Sequence, residues 1–140
     1  MSTDLNAPPH VEGYLLLFRG NPWGSEDFST ERLQQIMDGV MGWFEKLQGE
    51  GKLVSGHPLM DRAKVVSGEG GRSVTDGPFA EAKEAVGGFV SLNVKSMEEA
   101  VAIARSNPML KYGLITEVRE IASDCPHFYR ARQRLAGAAA

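Results

Sequence analysis

The sequence predicts a single α+β domain, and three observations predict it. Short apolar runs are bounded by glycine and proline, two longer stretches have helical spacing, and a glycine-rich hairpin signal lies between them. The run Tyr14-Leu15-Leu16-Leu17-Phe18 reads as a strand buried on both faces, ended by Gly20-Asn21-Pro22-Trp23-Gly24. The spacing then predicts a helix over 30–48. Ser29 is its N-cap, with Phe28 and Leu33 placed as a hydrophobic staple. Leu33, Ile36, Met37, Val40, Met41, Phe44 and Leu47 form its apolar stripe. Gly39 and Gly42 lie off that stripe. Each costs roughly 1 kcal/mol of helix propensity relative to alanine, so packing or the close approach of another element is expected there. Gly49 and Gly51 end the helix.

Lys52 to Gly56 is the second strand, stopped by His57-Pro58. Ala63 to Ser67 and Arg72 to Thr75 are the arms of a hairpin that turns at Gly68-Glu69-Gly70-Gly71. Phe89 to Val94 alternates, with Val90, Leu92 and Val94 on one side and Ser91 and Asn93 on the other. Ser96-Met97-Glu98-Glu99 has the form of a capping box. The helix it starts buries Met97, Ala100, Val101, Ile103 and Ala104, and Ser106-Asn107-Pro108 stops it. Leu114 to Ile121 is the last strand, with Leu114, Thr116 and Val118 on one face.

With the hairpin set aside, the order is βαββαβ, the split β-α-β pattern of ferredoxin-like folds. The boundaries expected are a flexible leader over 1–12, the domain over 13–122 and an extension over 123–140. Two helices cover one face of such a sheet, yet the first strand has apolar side chains in both directions. A second copy is the expected cover, giving a homodimer with a cleft between facing sheets.

Composition narrows the function. The chain has 140 residues, 42% of them hydrophobic, and a net charge of −3. That balance argues against a direct nucleic-acid binder, which needs a basic face. One cysteine, Cys125, excludes an intrachain disulfide and fits a reducing, cytoplasmic setting. No stretch has the length and apolarity of a signal peptide core or a membrane span, so no membrane association is expected. Three scattered histidines show no metal-ligand spacing, and neither a metal nor a cofactor is expected.

Between the hairpin and the Phe89 strand lies Val74-Thr75-Asp76-Gly77-Pro78-Phe79-Ala80-Glu81-Ala82-Lys83-Glu84, followed by Gly87-Gly88-Phe89. On these residues the chain resembles the YCII-related (DGPF-domain) family of small bacterial proteins, from Tyr14 to Ile121. The resemblance implies a dimeric α+β-barrel of ferredoxin-like subunits. In the YciI-like branch it also implies a His–Asp pair, which this chain lacks. Thr30-Glu31-Arg32-Leu33-Gln34 contains no histidine, and the residue before Pro108 is Asn107. The resemblance further implies a regulatory setting beside extracytoplasmic-function sigma factors, and so a sigma-factor-related partner.

Two candidate catalytic residues remain. Asp76 suits a general base or the orienter of one; the other reading is a turn residue, since aspartate before Gly-Pro accepts hydrogen bonds from following amides. His57 is the histidine inside the fold, and it forms a His–carboxylate pair if the hairpin brings it to Asp76; otherwise it is an exposed strand end. Arg72 and Arg119 are candidates for holding an anionic substrate. Arg119 shares a strand face with Glu117, so an internal ion pair is the alternative. Phe79 is a candidate cleft residue. Any catalysis would be metal-free acid–base chemistry of a hydrolase or lyase type. The basic stretch His127 to Leu135 either packs across a dimer, docks on an acidic partner or frays. Two functions follow: a small molecule bound in the dimer cleft, or a non-catalytic regulatory accessory.

Overall fold

The computed structural model describes residues 5–20, 27–77 and 85–139. Among the described residues, six strands and three α-helices follow in the order β1 (Val11–Arg19), α1 (Thr30–Gly49), β2 (Leu53–Pro58), β3 (Ala63–Ser67), β4 (Ser73–Gly77), β5 (Val86–Leu92), α2 (Met97–Arg105), β6 (Ile115–Ala122) and α3 (Pro126–Ala139). A four-stranded sheet has the order β2-β5-β1-β6, every neighbouring pair antiparallel, while β3 and β4 form a separate ribbon. The chain is therefore a mixed α+β fold.

Side chains of β1 alternate between two faces. Tyr14 and Leu16 point into the core, opposite Leu92 and Val90 of β5. Trp43 and Leu47 of α1 join them there, as do Ala100, Ile103 and Ala104 of α2, so both helices cover the same face. Leu15 and Leu17 project the other way, level with Ser91 and Phe89 on β5 and with Arg119 and Glu117 on β6. That second face is only partly buried.

Caps set the helix starts. Ser29 Oγ accepts from the Arg32 N–H at 3.1 Å, and Ser96 Oγ from the Glu99 N–H at 3.1 Å. The carboxylate of Glu99 turns toward Lys52 Nζ at 3.8 Å. Phe28, placed in the sequence as half of a staple, packs its ring edge-on against Tyr112 at 5.3 Å.

Several expectations need correction. Trp43, absent from the predicted stripe of α1, is a core residue whose Nε1 donates to Ser106 Oγ at 2.8 Å, while Met37 and Met41 are exposed. Val101 of α2 is also exposed. β5 begins at Val86, so Gly87 and Gly88 belong to the strand, and β1 begins at Val11. Just before it, His10 and Ser123 are joined by two hydrogen bonds, His10 N–H to Ser123 Oγ and Ser123 N–H to the His10 carbonyl. Residues 126–139, read as a tail, form α3. Pro126 takes the first helical position, where its missing N–H is no loss. Among the described residues no helix is long and apolar enough to cross a membrane.

Candidate functional site

A cleft of about 860 Å³ opens between α1, the β2–β5–β1 end of the sheet and the β3–β4 ribbon. Val40 and Phe44 of α1 form one wall. Phe18, Leu53 and Val90 form the floor, and Asn107, Met109 and Leu114 close the end beyond α2. Ala63, Val65 and Gly77 supply the ribbon's side. The sequence led us to expect a cleft between two facing sheets; this one is built by a single chain, on the helix-covered side.

Small residues create the space. Gly56, Gly87 and Gly88 all line the cleft. Gly88 stands between Phe18 of β1 and Pro58 of β2 in the pairing register. A β-carbon there would lie 3.1 Å from the His57 carbonyl oxygen and 3.8 Å from Phe18 Cδ2. The Gly87-Gly88 pair thus lets three strands approach closely where the cleft floor begins.

Polar groups at the cleft are few. Asn107 is 7% exposed and is the buried polar residue of the described chain. Its Oδ1 accepts from the Met109 N–H at 2.9 Å and so caps the 3-10 turn Pro108–Tyr112. An amide cannot act as a base, and Asn107 serves instead as a capping side chain turned inward, for which the Asn-Pro pair is the sequence signal. Asp61 and His57 also line the cleft. His57 borders the cleft at the end of β2, but it pairs with Phe89 across β2 and β5 and the two rings meet edge-on at 5.7 Å on the sheet's second face, away from the helix-covered side. No lysine or arginine lines it among the described residues.

Asp76 lies elsewhere. It pairs with Lys64 across the ribbon, accepts a hydrogen bond from Lys64 Nζ, and its side chain is 81% exposed. Its ionic partner is Lys64 and not His57. Arg72 is exposed at the ribbon's turn, packed along Gly68, and does not line the cleft. Arg119 sits on the sheet's second face, where Nη1 reaches Glu117 Oε2 at 3.3 Å. Glu117 also meets Arg19 Nη2 at 3.3 Å, so the internal pair is the arrangement present. Phe79 lies outside the described residues, as do Pro78, Glu81, Lys83 and Glu84.

The perturbed groups lie outside this cleft. Hydrogen bonding to Glu50 raises Lys52. Burial, with Glu120 and Glu98 nearby, raises Tyr14. Burial alone would raise Tyr112, but hydrogen bonds with Lys111 and Arg32 bring it below its ordinary value. Hydrogen bonds from Arg132 and the Cys125 N–H hold Asp124 below the usual carboxylate range.

No curated protein matches the chain. The profile of the YCII-related domain matches residues 14–127, a stretch that takes in β1 from Tyr14 on, β2 to β6, α1, α2 and the described lining of the cleft. The chain belongs to the YCII-related family.

Proposed function

We propose that the protein binds a small, uncharged, largely apolar molecule in the cleft beside the β3–β4 ribbon. The observation that carries this reading is a space of about 860 Å³ walled by aromatic and aliphatic side chains, with Asn107 and Asp61 as its polar side chains. Pockets of this size and make-up hold small molecules by apolar contact and fix their orientation by a few polar groups. Without a cation on the described lining, an anion would lose hydration and gain no charge partner. Arg72 and Arg119 accordingly have no ligand role in this reading. Asn107 and Asp61 are the side chains that would orient the molecule, and His57, whose ring packs on Phe89, has no role in this reading. Asp76 holds the ribbon with Lys64.

The strand order β2-β5-β1-β6 with α1 and α2 on one face supports a ferredoxin-like arrangement of the subunit. The partly buried second face, with Leu15, Leu17 and Phe89, supports a homodimer formed by facing sheets. A cytoplasmic location fits the single free cysteine. A protein-docking role, including one toward a sigma-factor-related partner, draws its support from the basic, exposed face of α3.

The test uses two fluorescent probes, neutral N-phenyl-1-naphthylamine and anionic 1-anilinonaphthalene-8-sulfonate. The neutral probe should bind, and Val65→Trp, which fills the cleft from the ribbon, should remove that binding while leaving the circular dichroism spectrum intact. Equal binding of the anionic probe, or neutral-probe binding that survives Val65→Trp, would refute the reading.

A further inference from the structure

Three hydrogen-bonding side chains converge where α1 packs against the 3-10 turn Pro108–Tyr112. Phe28, just ahead of the Ser29 cap, holds the Tyr112 ring edge-on at 5.3 Å. Lys111 Nζ lies 5.1 Å from the centre of that ring, within cation–π range. The Tyr112 hydroxyl oxygen accepts hydrogen bonds from Lys111 and from Arg32, which stands in the first turn of α1. The phenol is half-buried and both cations are exposed. Two elements far apart in the chain thus bring two positive charges to one oxygen.

The cluster is rich in donors and poor in acceptors. An ammonium and a guanidinium only donate, and a neutral phenol still has its O–H to give. Among the described residues no carboxylate pairs with Arg32 or Lys111, and none acts on the Tyr112 phenol. Glu31 and Asp27, the acids nearest in sequence to Arg32, form no ion pair with either cation. The donors in question are side chains. Ser29 already takes the Arg32 N–H on Oγ and the Leu33 N–H on its carbonyl, so the backbone of that first turn is capped. Two like charges at one oxygen repel each other, and an anion between them would reverse the sign of that interaction. Their combined field is felt at Tyr112, which is held below its ordinary pKa although burial pushes it up.

We propose that Arg32, Lys111 and Tyr112 bind the dianionic phosphate group of a small phosphate monoester. Two positive charges match the two negative charges of that group, the guanidinium offers it a planar pair of N–H donors, and the phenol adds an O–H. A carboxylate brings a single charge and leaves one cation unmatched. None of the three side chains lines the cleft, so the site is separate from the one that takes the apolar molecule. Exposure of both cations keeps the affinity in the millimolar range.

The test follows the tyrosine ring carbons of the full chain by nuclear magnetic resonance, with Tyr112→Phe assigning the signal. Inorganic phosphate and methyl phosphate are the probes, above their second pKa of about 6 and at an ionic strength held constant with chloride. Each should shift Tyr112 along a saturable millimolar curve and leave Tyr14 and Tyr129 in place. Each should also raise the pKa of Tyr112, because an anion beside a phenol disfavours its charged form. Arg32→Gln and Lys111→Gln should each weaken binding at least about fivefold with the circular dichroism spectrum unchanged, and Lys111→Arg should keep it. Val65→Trp should leave phosphate binding as it is, whatever becomes of the neutral probe, so the two sites fail or stand separately. Acetate should compete at least about tenfold more weakly. Equal shifts at all three tyrosines, or binding that neither glutamine variant weakens, would overturn the proposal. Acetate competing as well as phosphate would overturn the dianion, and binding of inorganic phosphate without methyl phosphate would overturn the monoester.

Discussion

Replacing Gly56 by alanine should destabilise the protein by about 2–3 kcal/mol, while the same change at Gly42 should stabilise it by about 0.5–1 kcal/mol. Both substitutions add one methyl group, and the surroundings set the opposite signs. At Gly56 the new β-carbon would lie 2.8 Å from the Phe89 carbonyl oxygen and 3.1 Å from Val90 Cγ2, both inside ordinary contact distance. The crowding atoms belong to β5, which β1 pins on its far side. Relief therefore has to come from β2, an edge strand, whose retreat stretches its ladder with β5. At Gly42 the β-carbon would meet nothing within 4 Å. There alanine lowers the conformational freedom of the unfolded chain and costs no contact. Urea denaturation followed by far-ultraviolet circular dichroism measures both, at one protein concentration because association would add its own stability. Midpoints that coincide, or a Gly42→Ala variant less stable than Gly56→Ala, would refute the reasoning.

Two more predictions concern the sheet and α3. Leu16 is fully buried and Leu17, on the opposite face, is half-buried. Leu16→Ala should cost about 3–4 kcal/mol and Leu17→Ala about 1 kcal/mol. In thermal unfolding that separates the two by roughly 10 °C, and in a sheet-to-sheet dimer only the Leu17 cost should grow with protein concentration. Asp124 has its folded-state pKa lowered by Arg132 and the Cys125 N–H, so its stabilisation of the start of α3 is complete above the ordinary carboxylate value of 3.8 and is lost as pH falls through the lower folded value. Carboxyl-carbon nuclear magnetic resonance should show that titration, and Arg132→Gln should move it up toward 3.8.

What was legible in the sequence follows from local periodicity. The alternation of Val90, Leu92 and Val94 marked the buried face of β5 and its continuation, because a strand with one core face has period two. Ser29 and Ser96 marked their helix starts because a serine hydroxyl satisfies an orphan N–H whatever the rest of the fold does. Trp43 was missed because the stripe on α1 was drawn one edge too far round. Two methionines were counted in, although solvent faces them and the indole lies on the opposite margin. The start of α3 was missed because its signal, Asp124-Cys125-Pro126, lies in a stretch without apolar periodicity. The cleft was not legible. Its walls come from elements far apart in the chain, Val40 beside Val65 beside Leu114, and no local pattern encodes their meeting.

The fate of Asp76 was decided by the ribbon's register, which neither its identity nor its neighbours reveal. In the β3–β4 pairing, Ala63 opposes Gly77, Lys64 opposes Asp76 and Val65 opposes Thr75. Successive residues take opposite faces. Ala63, Val65 and Gly77 line the cleft, so Lys64 and Asp76 fall on the other face, and there they pair. A shift of one residue would have turned the carboxylate inward and the glycine outward. The actual register gives the segment a different use. A β-carbon at position 77 would sit 3.0 Å from Ala63 Cβ, on the side of the ribbon that walls the cleft. Within Asp76-Gly77 it is the missing side chain of the glycine that makes room at the cleft, while the aspartate pairs with Lys64 on the ribbon's other face.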